Sequence, residues 1–71
     1  MKTIYHTHFD RKGYGQWTIE IEFTSGEIFK IFTTDSEFYD IYSHTPAREK
    51  NELVANHFAF QIEEYFYELE N

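Results

Sequence analysis

Between Gln16 and Thr24 the chain reads QWTIEIEFT, an alternation that puts Trp17, Ile19, Ile21 and Phe23 on one face and Thr18, Glu20 and Glu22 on the other. A period of two residues marks a strand with one buried and one wet face, as in an antiparallel sheet. The TSGE segment that follows offers Gly26 where a type I turn with a G1 bulge needs a positive φ. Pairing Phe23 with Glu27 across that turn sets Ile21 against Phe29, Ile19 against Ile31 and Glu20 against Lys30, so apolar meets apolar and acid meets base. A two-residue turn would carry Lys30 into the core and is rejected.

Upstream, KTIYHTHF is rich in strand-forming residues. Its alternation is ambiguous, and the expected arrangement has Tyr5 and Phe9 inward with His6 and His8 outward. DRKGYG then reads as the connecting loop, Gly13 and Gly15 permitting unusual backbone angles. The expected sheet is a three-stranded antiparallel β-meander.

Downstream the period changes. Thr34, Asp35, Ser36 and Glu37 form a capping box with Thr34 at the N-cap, after which Phe38, Ile41 and Tyr42 recur at helical spacing. A short helix of about two turns is predicted there. Pro46 ends the intervening segment by disfavouring helical geometry in the residue before it, and itself suits the first turn of a new helix capped by Thr45. Neither Gly nor Pro interrupts residues 47–69, so a single long helix over residues 46–69 is expected to pack on the sheet. The whole, residues 1–71, is expected to be one small α+β domain of order βββαα.

On that helix Val54, Phe58, Ile62, Tyr65, Phe66 and Leu69 fall within an arc of roughly 120°, a core stripe. Leu53, Phe60 and Tyr67, spaced by seven, fall on the opposite side within roughly 40°. Glu52, Glu63 and Glu70 border this second seam on one side and Glu64 on the other, with Glu68 further round. Three covers compete for it. The short helix can fold back over it; a second copy can bury it in a homodimer, at the expense of bringing like charges together; or a foreign partner with an apolar groove and basic rims can accept it.

Composition sharpens the choice. The chain of 71 residues carries 13 acidic and 6 basic side chains, a formal charge of −7. Residues 1–12 contribute +2, residues 13–47 −5, residues 48–50 +1 and residues 51–71 −5. Such a field repels nucleic acid and anionic membranes and attracts basic protein surfaces. Aromatic residues make up 21% of the chain and cysteine is absent, so large rings do the stabilising that disulfides or thiolate zinc do in other small domains. The start is too polar for a signal peptide and no apolar run spans a bilayer, so a cytoplasmic protein is expected.

Candidate chemistry is sparse. His6 and His8 point the same way on a strand, but zinc needs three or four ligands and none is fixed nearby by spacing. KGYG is not followed by a helix or a Lys-Ser/Thr pair, as a phosphate loop requires. The serines sit in turn or cap contexts, and the carboxylate pairs lack apolar surroundings that would tune them for catalysis. A non-enzymatic module without cofactor or metal is therefore expected. In overall character the chain resembles the small acidic phage or mobile-element proteins that inhibit nucleic-acid-handling enzymes, anti-CRISPR and anti-restriction proteins among them. That resemblance implies a DNA mimic or similar inhibitor, whose partner is a basic, nucleic-acid-binding protein surface. The candidate contact residues are Glu20 and Glu22 on the sheet, and Leu53, Phe60, Glu63, Glu64, Tyr67, Glu68 and Glu70 on the helix.

Overall fold

The structure, a computed structural model, describes residues 3–70; Met1, Lys2 and Asn71 lie outside the described residues, and Lys2 takes with it part of the basic charge of the first segment. Strands β1 (Ile4–Gly13), β2 (Gln16–Phe23) and β3 (Ile28–Thr33) are followed by helices α1 (Ser36–Ser43), α2 (Ala47–His57) and α3 (Ala59–Glu70). The strands form one antiparallel sheet in the order β1-β2-β3, the expected meander of an α+β fold.

β2 is central, and its alternation is carried out in full. Ile19 and Ile21 are wholly buried, and Trp17 and Phe23 nearly so, while Thr18, Glu20 and Glu22 face the other way. The hairpin to β3 has the expected register, with Ile19 opposite Ile31, Glu20 opposite Lys30 and Ile21 opposite Phe29. Its turn closes through Gly26 N–H to Phe23 O and Phe23 N–H to Glu27 O, both 2.9 Å, with Gly26 at φ 100°. That is a type I turn with a G1 bulge, and a side chain at Gly26 would be strained there.

β1 departs from expectation. Ile4 pairs with Phe23 but His6 with Glu22, so two residues of β1 oppose one step of β2 and Tyr5 is squeezed out. The bulge resets the alternation: Phe9 turns inward as expected, but Tyr5 is exposed and Ile4 and Thr7 take the inner face in its place. A second irregularity lies between Arg11 and Gly13, and the strand runs on to Gly13. The expected DRKGYG loop thus shrinks to a turn at Tyr14 and Gly15, with Gly15 at φ 66°.

Thr7 is the buried polar residue of this layer, and it is satisfied from α1. The Tyr42 hydroxyl donates to Thr7 O at 3.0 Å and lies 2.9 Å from Thr7 Oγ1, which can donate in return. Higher up the same strand, the Asn51 side-chain amide of α2 donates to Tyr5 O at 3.2 Å and Ile4 O at 3.4 Å. Both helices therefore hold the outer edge of β1 through polar contacts to its carbonyls, as edge strands require.

The cap of α1 is Asp35 rather than Thr34: its Oδ1 accepts from Phe38 N–H at 2.9 Å, and Thr33 Oγ1 accepts from Asp35 N–H at 3.1 Å. A carboxylate caps better than a threonine hydroxyl and gains from the helix dipole. Thr45 is likewise not the cap of the next helix. Its hydroxyl turns back to Ile41 O at 2.7 Å, satisfying the end of α1, and Pro46 takes the cap position before Ala47.

The expected single long helix is bent at Phe58, whose φ of −107° and ψ of 23° lie off the helical values. Hydrogen bonds continue across the bend, from Phe58 N–H to Val54 O and from Ile62 N–H to Phe58 O. The break falls where the helix meets α1: Phe38 stacks on His57, with ring centroids 3.8 Å apart, and meets Phe58 edge-on at 5.4 Å, so two successive residues pack on one ring. Val54, Phe58, Ile62 and Phe66 keep the core stripe, Tyr65 covers Phe29 in a parallel stack at 4.3 Å, and Leu69 runs past the core and is exposed. All three helices lie on one face of the sheet, against Ile19, Ile21 and Phe23.

Tyr42→Phe deletes the hydroxyl that satisfies buried Thr7 and is expected to lower the unfolding free energy by about 1–3 kcal/mol in urea titration. Asp35→Ala, which removes only a cap, is expected to lower it by about 1 kcal/mol.

Candidate partner-binding surface

α3 exposes a ridge. Ile62 and Phe66 turn into the core, and half a helical turn away Phe60 and Tyr67 are 73% and 69% exposed. Glu63 and Glu64 lie between them, and the four side chains line a shallow depression. Tyr67 also lines its neighbour, with Ile62, Glu63, Phe66 and Glu70. α1 does not roof this ridge. Its Phe38 and Tyr42 are committed to the core, and Tyr39 stacks on Trp17 with centroids 4.7 Å apart.

Charge reinforces the geometry. Residues 51–71 contain five glutamates and neither lysine nor arginine. The last turn of α3 carries Glu68 and no basic residue, the reverse of what the helix dipole favours at a C-terminus. Glu64 and Glu68, four apart, repel along the exposed face. The Glu64–Glu68 pair is locally unfavourable, and a cation brought by a partner would offset it.

The nine candidate residues do not form one surface. Glu63, Glu64, Glu68 and Glu70 are exposed on α3 with Phe60 and Tyr67. Leu53 belongs to α2, before the bend, and is half-buried against the core. Its own surroundings are Thr45, Glu49, Glu52 and Asn56. Glu20 and Glu22 lie on the outer face of the sheet, on the far side from the helices, and Glu20 pairs with Lys30 at 3.7 Å. A flat partner covering Phe60 and Tyr67 cannot touch them.

Two features escaped the sequence reading. On the outer face of β3, Ile28 and Phe32 are 50% and 60% exposed. The register that turned Phe29 and Ile31 inward already implied this. A cleft of about 460 Å³ also opens between β1 and the helices, lined by Thr7, Phe9, Tyr39, Tyr42, Lys50 and Asn51 among others. Its polar groups are engaged in holding β1, and Lys50 Nζ sits 4.7 Å over the Tyr42 ring. The cleft is therefore read as part of the fold. His6 and His8 share the outer face with ring centroids 5.9 Å apart, and among the described residues no three His, Asp or Glu side chains come together as a metal site. No helix among the described residues is long and apolar enough to cross a membrane.

Comparison of the chain with protein-family models, with curated proteins and with solved structures finds no match.

Because Phe60 lies outside the core, Phe60→Ala is expected to change the unfolding free energy by no more than about 0.5 kcal/mol. Phe66→Ala, two turns along the same helix but buried, is expected to remove about 3–5 kcal/mol, most of the stability of a domain this size. Circular dichroism melts of the two variants side by side check the assignment of faces.

Proposed function

We propose that this protein is a non-enzymatic binding module whose α3 ridge docks on a basic protein surface. The observation that carries the reading is the exposure of Phe60 and Tyr67 amid glutamates on a helix already anchored by its other face. Aromatic anchors supply contact area at low entropic cost, and flanking carboxylates steer the encounter and fix its orientation. Leu53 has no part in this surface. Glu20 and Glu22 take part only if the partner wraps around to the sheet.

In its sharper form the proposal names an inhibitor of a nucleic-acid-handling enzyme, of the kind phages and mobile elements encode. A cleft that binds phosphates is lined by lysine and arginine, and such rims complement Glu63, Glu64, Glu68 and Glu70. Occupation of that cleft would exclude the nucleic acid by charge and bulk alone, with no covalent chemistry.

Affinity capture with the intact chain tests this, comparing wild type with Phe60→Ala/Tyr67→Ala at low and high salt. The expected result is a basic, nucleic-acid-binding protein retained by wild type, released as salt rises or when excess duplex is added, and absent from the variant. Retention that is indifferent to salt and to both substitutions would remove the basis for the reading.

A further inference from the structure

We infer that two copies of this chain pair through the edge of β3 into a six-stranded sheet, and that assembly stops there. The inference is independent of the α3 ridge. Phe23 N–H to Glu27 O fixes which backbone groups of β3 face β2. Residues 29, 31 and 33 pair with residues 21, 19 and 17, so Ile28, Lys30 and Phe32 aim their N–H and C=O groups away from the sheet. Among the described residues, the side-chain cover on this edge is one long bond from the Tyr65 hydroxyl to Ile28 O, 3.4 Å, at its very end. A carbonyl oxygen has a second lone pair for a strand partner.

The sequence of this edge is symmetric in kind. IFKIF, residues 28–32, reads apolar, apolar, basic, apolar, apolar in both directions about Lys30. An antiparallel second copy with its two-fold axis at Lys30 therefore places Ile28 beside Phe32 of the second copy on the outer face, and Phe29 beside Ile31 of the second copy on the inner one. Ile28 and Phe32, exposed in the single chain, gain an apolar neighbour each. The two Lys30 side chains meet at the axis and repel, which the Glu20 lying 3.7 Å from each offsets in an acid-base-base-acid row. A shift of register by two residues would instead set Lys30 against Ile28 or Phe32.

The other edge explains why growth ends. On β1 the side chains of Asn51 and Tyr42 lie on the carbonyls of Ile4, Tyr5 and Thr7, and the bulge at Tyr5 breaks the run, so a further strand meets side chains and an irregular edge where it would have to pair. The first half of one edge is covered from the chain's own helices and the other edge is left to the second copy, and pairing edge to identical edge about a two-fold axis yields a closed dimer.

Sedimentation from micromolar to submillimolar concentration, at two salt concentrations, tests the inference with the intact chain. Each copy carries a charge of −7, so salt should tighten the dimer, opposite to its effect on a basic partner. Phe32→Pro removes an N–H that the single chain does not use in its sheet, and is expected to raise the dimer dissociation constant about tenfold or more; Phe32→Glu should do the same if the proline variant proves unfolded by circular dichroism. The chain has no cysteine of its own, so single replacements report the register. Lys30→Cys is expected to cross-link on mild oxidation, its Cα atoms ~5.5 Å apart at the axis. Ile28→Cys is expected not to, its Cα atoms being on the order of 13 Å apart. A chain that stays monomeric throughout, a dimer indifferent to both Phe32 variants, open-ended growth, or equal cross-linking at the two positions would each overturn the inference.

Discussion

A sheet of three strands can bury only one of its faces in a chain this short, and that constraint governs the molecule. β2 meets it by placing Ile19, Ile21 and Phe23 on the buried side with almost no exposure. All the helices must then come to that side, since apolar surface is removed from water only where two layers meet. The opposite face of the sheet and the backs of the helices are what remain outside. Every candidate for interaction therefore lies on one of those exteriors or along an edge.

Rings hold the two layers together. Phe66 meets Phe23 edge-on with centroids 4.7 Å apart, Tyr65 lies flat on Phe29, and Phe9 and Phe38 fill the junction with α1. Phe38 stands at the junction of all three helices' packing, because His57 and Phe58 both lie on it where α2 gives way to α3. Leu53 stays on the α2 side of that break, packed against the core, while Phe60 and Tyr67 stand exposed on α3.

What could be read from the residues was whatever local chemistry decides. The β2–β3 register followed from alternation, Gly26 and the Glu20–Lys30 match, and the opposition of Phe60 and Tyr67 to the core stripe followed from helical spacing. What could not be read depended on partners far along the chain. Tyr5 bulges where β1 is gripped by Asn51, 46 residues away, and nothing within KTIYHTHF announces it. The break at Phe58 coincides with a ring 20 residues earlier in the chain, and a straight wheel without it grouped Leu53 with Phe60 and Tyr67. Thr34 and Asp35 are both good caps, and the choice between them fell to Thr33, which anchors the Asp35 amide.

The stack of Trp17 on Tyr39 has a practical side. Trp17 is the chain's sole indole, it is nearly buried, and it lies against α1 with planes only 16° apart. Its emission is consequently a built-in gauge of whether α1 is seated, and it lies at the opposite end of β2 from Phe23, where Phe66 of α3 packs. A visitor on the ridge would leave that light unchanged in colour, whereas loosening of the middle segment would shift it to the red.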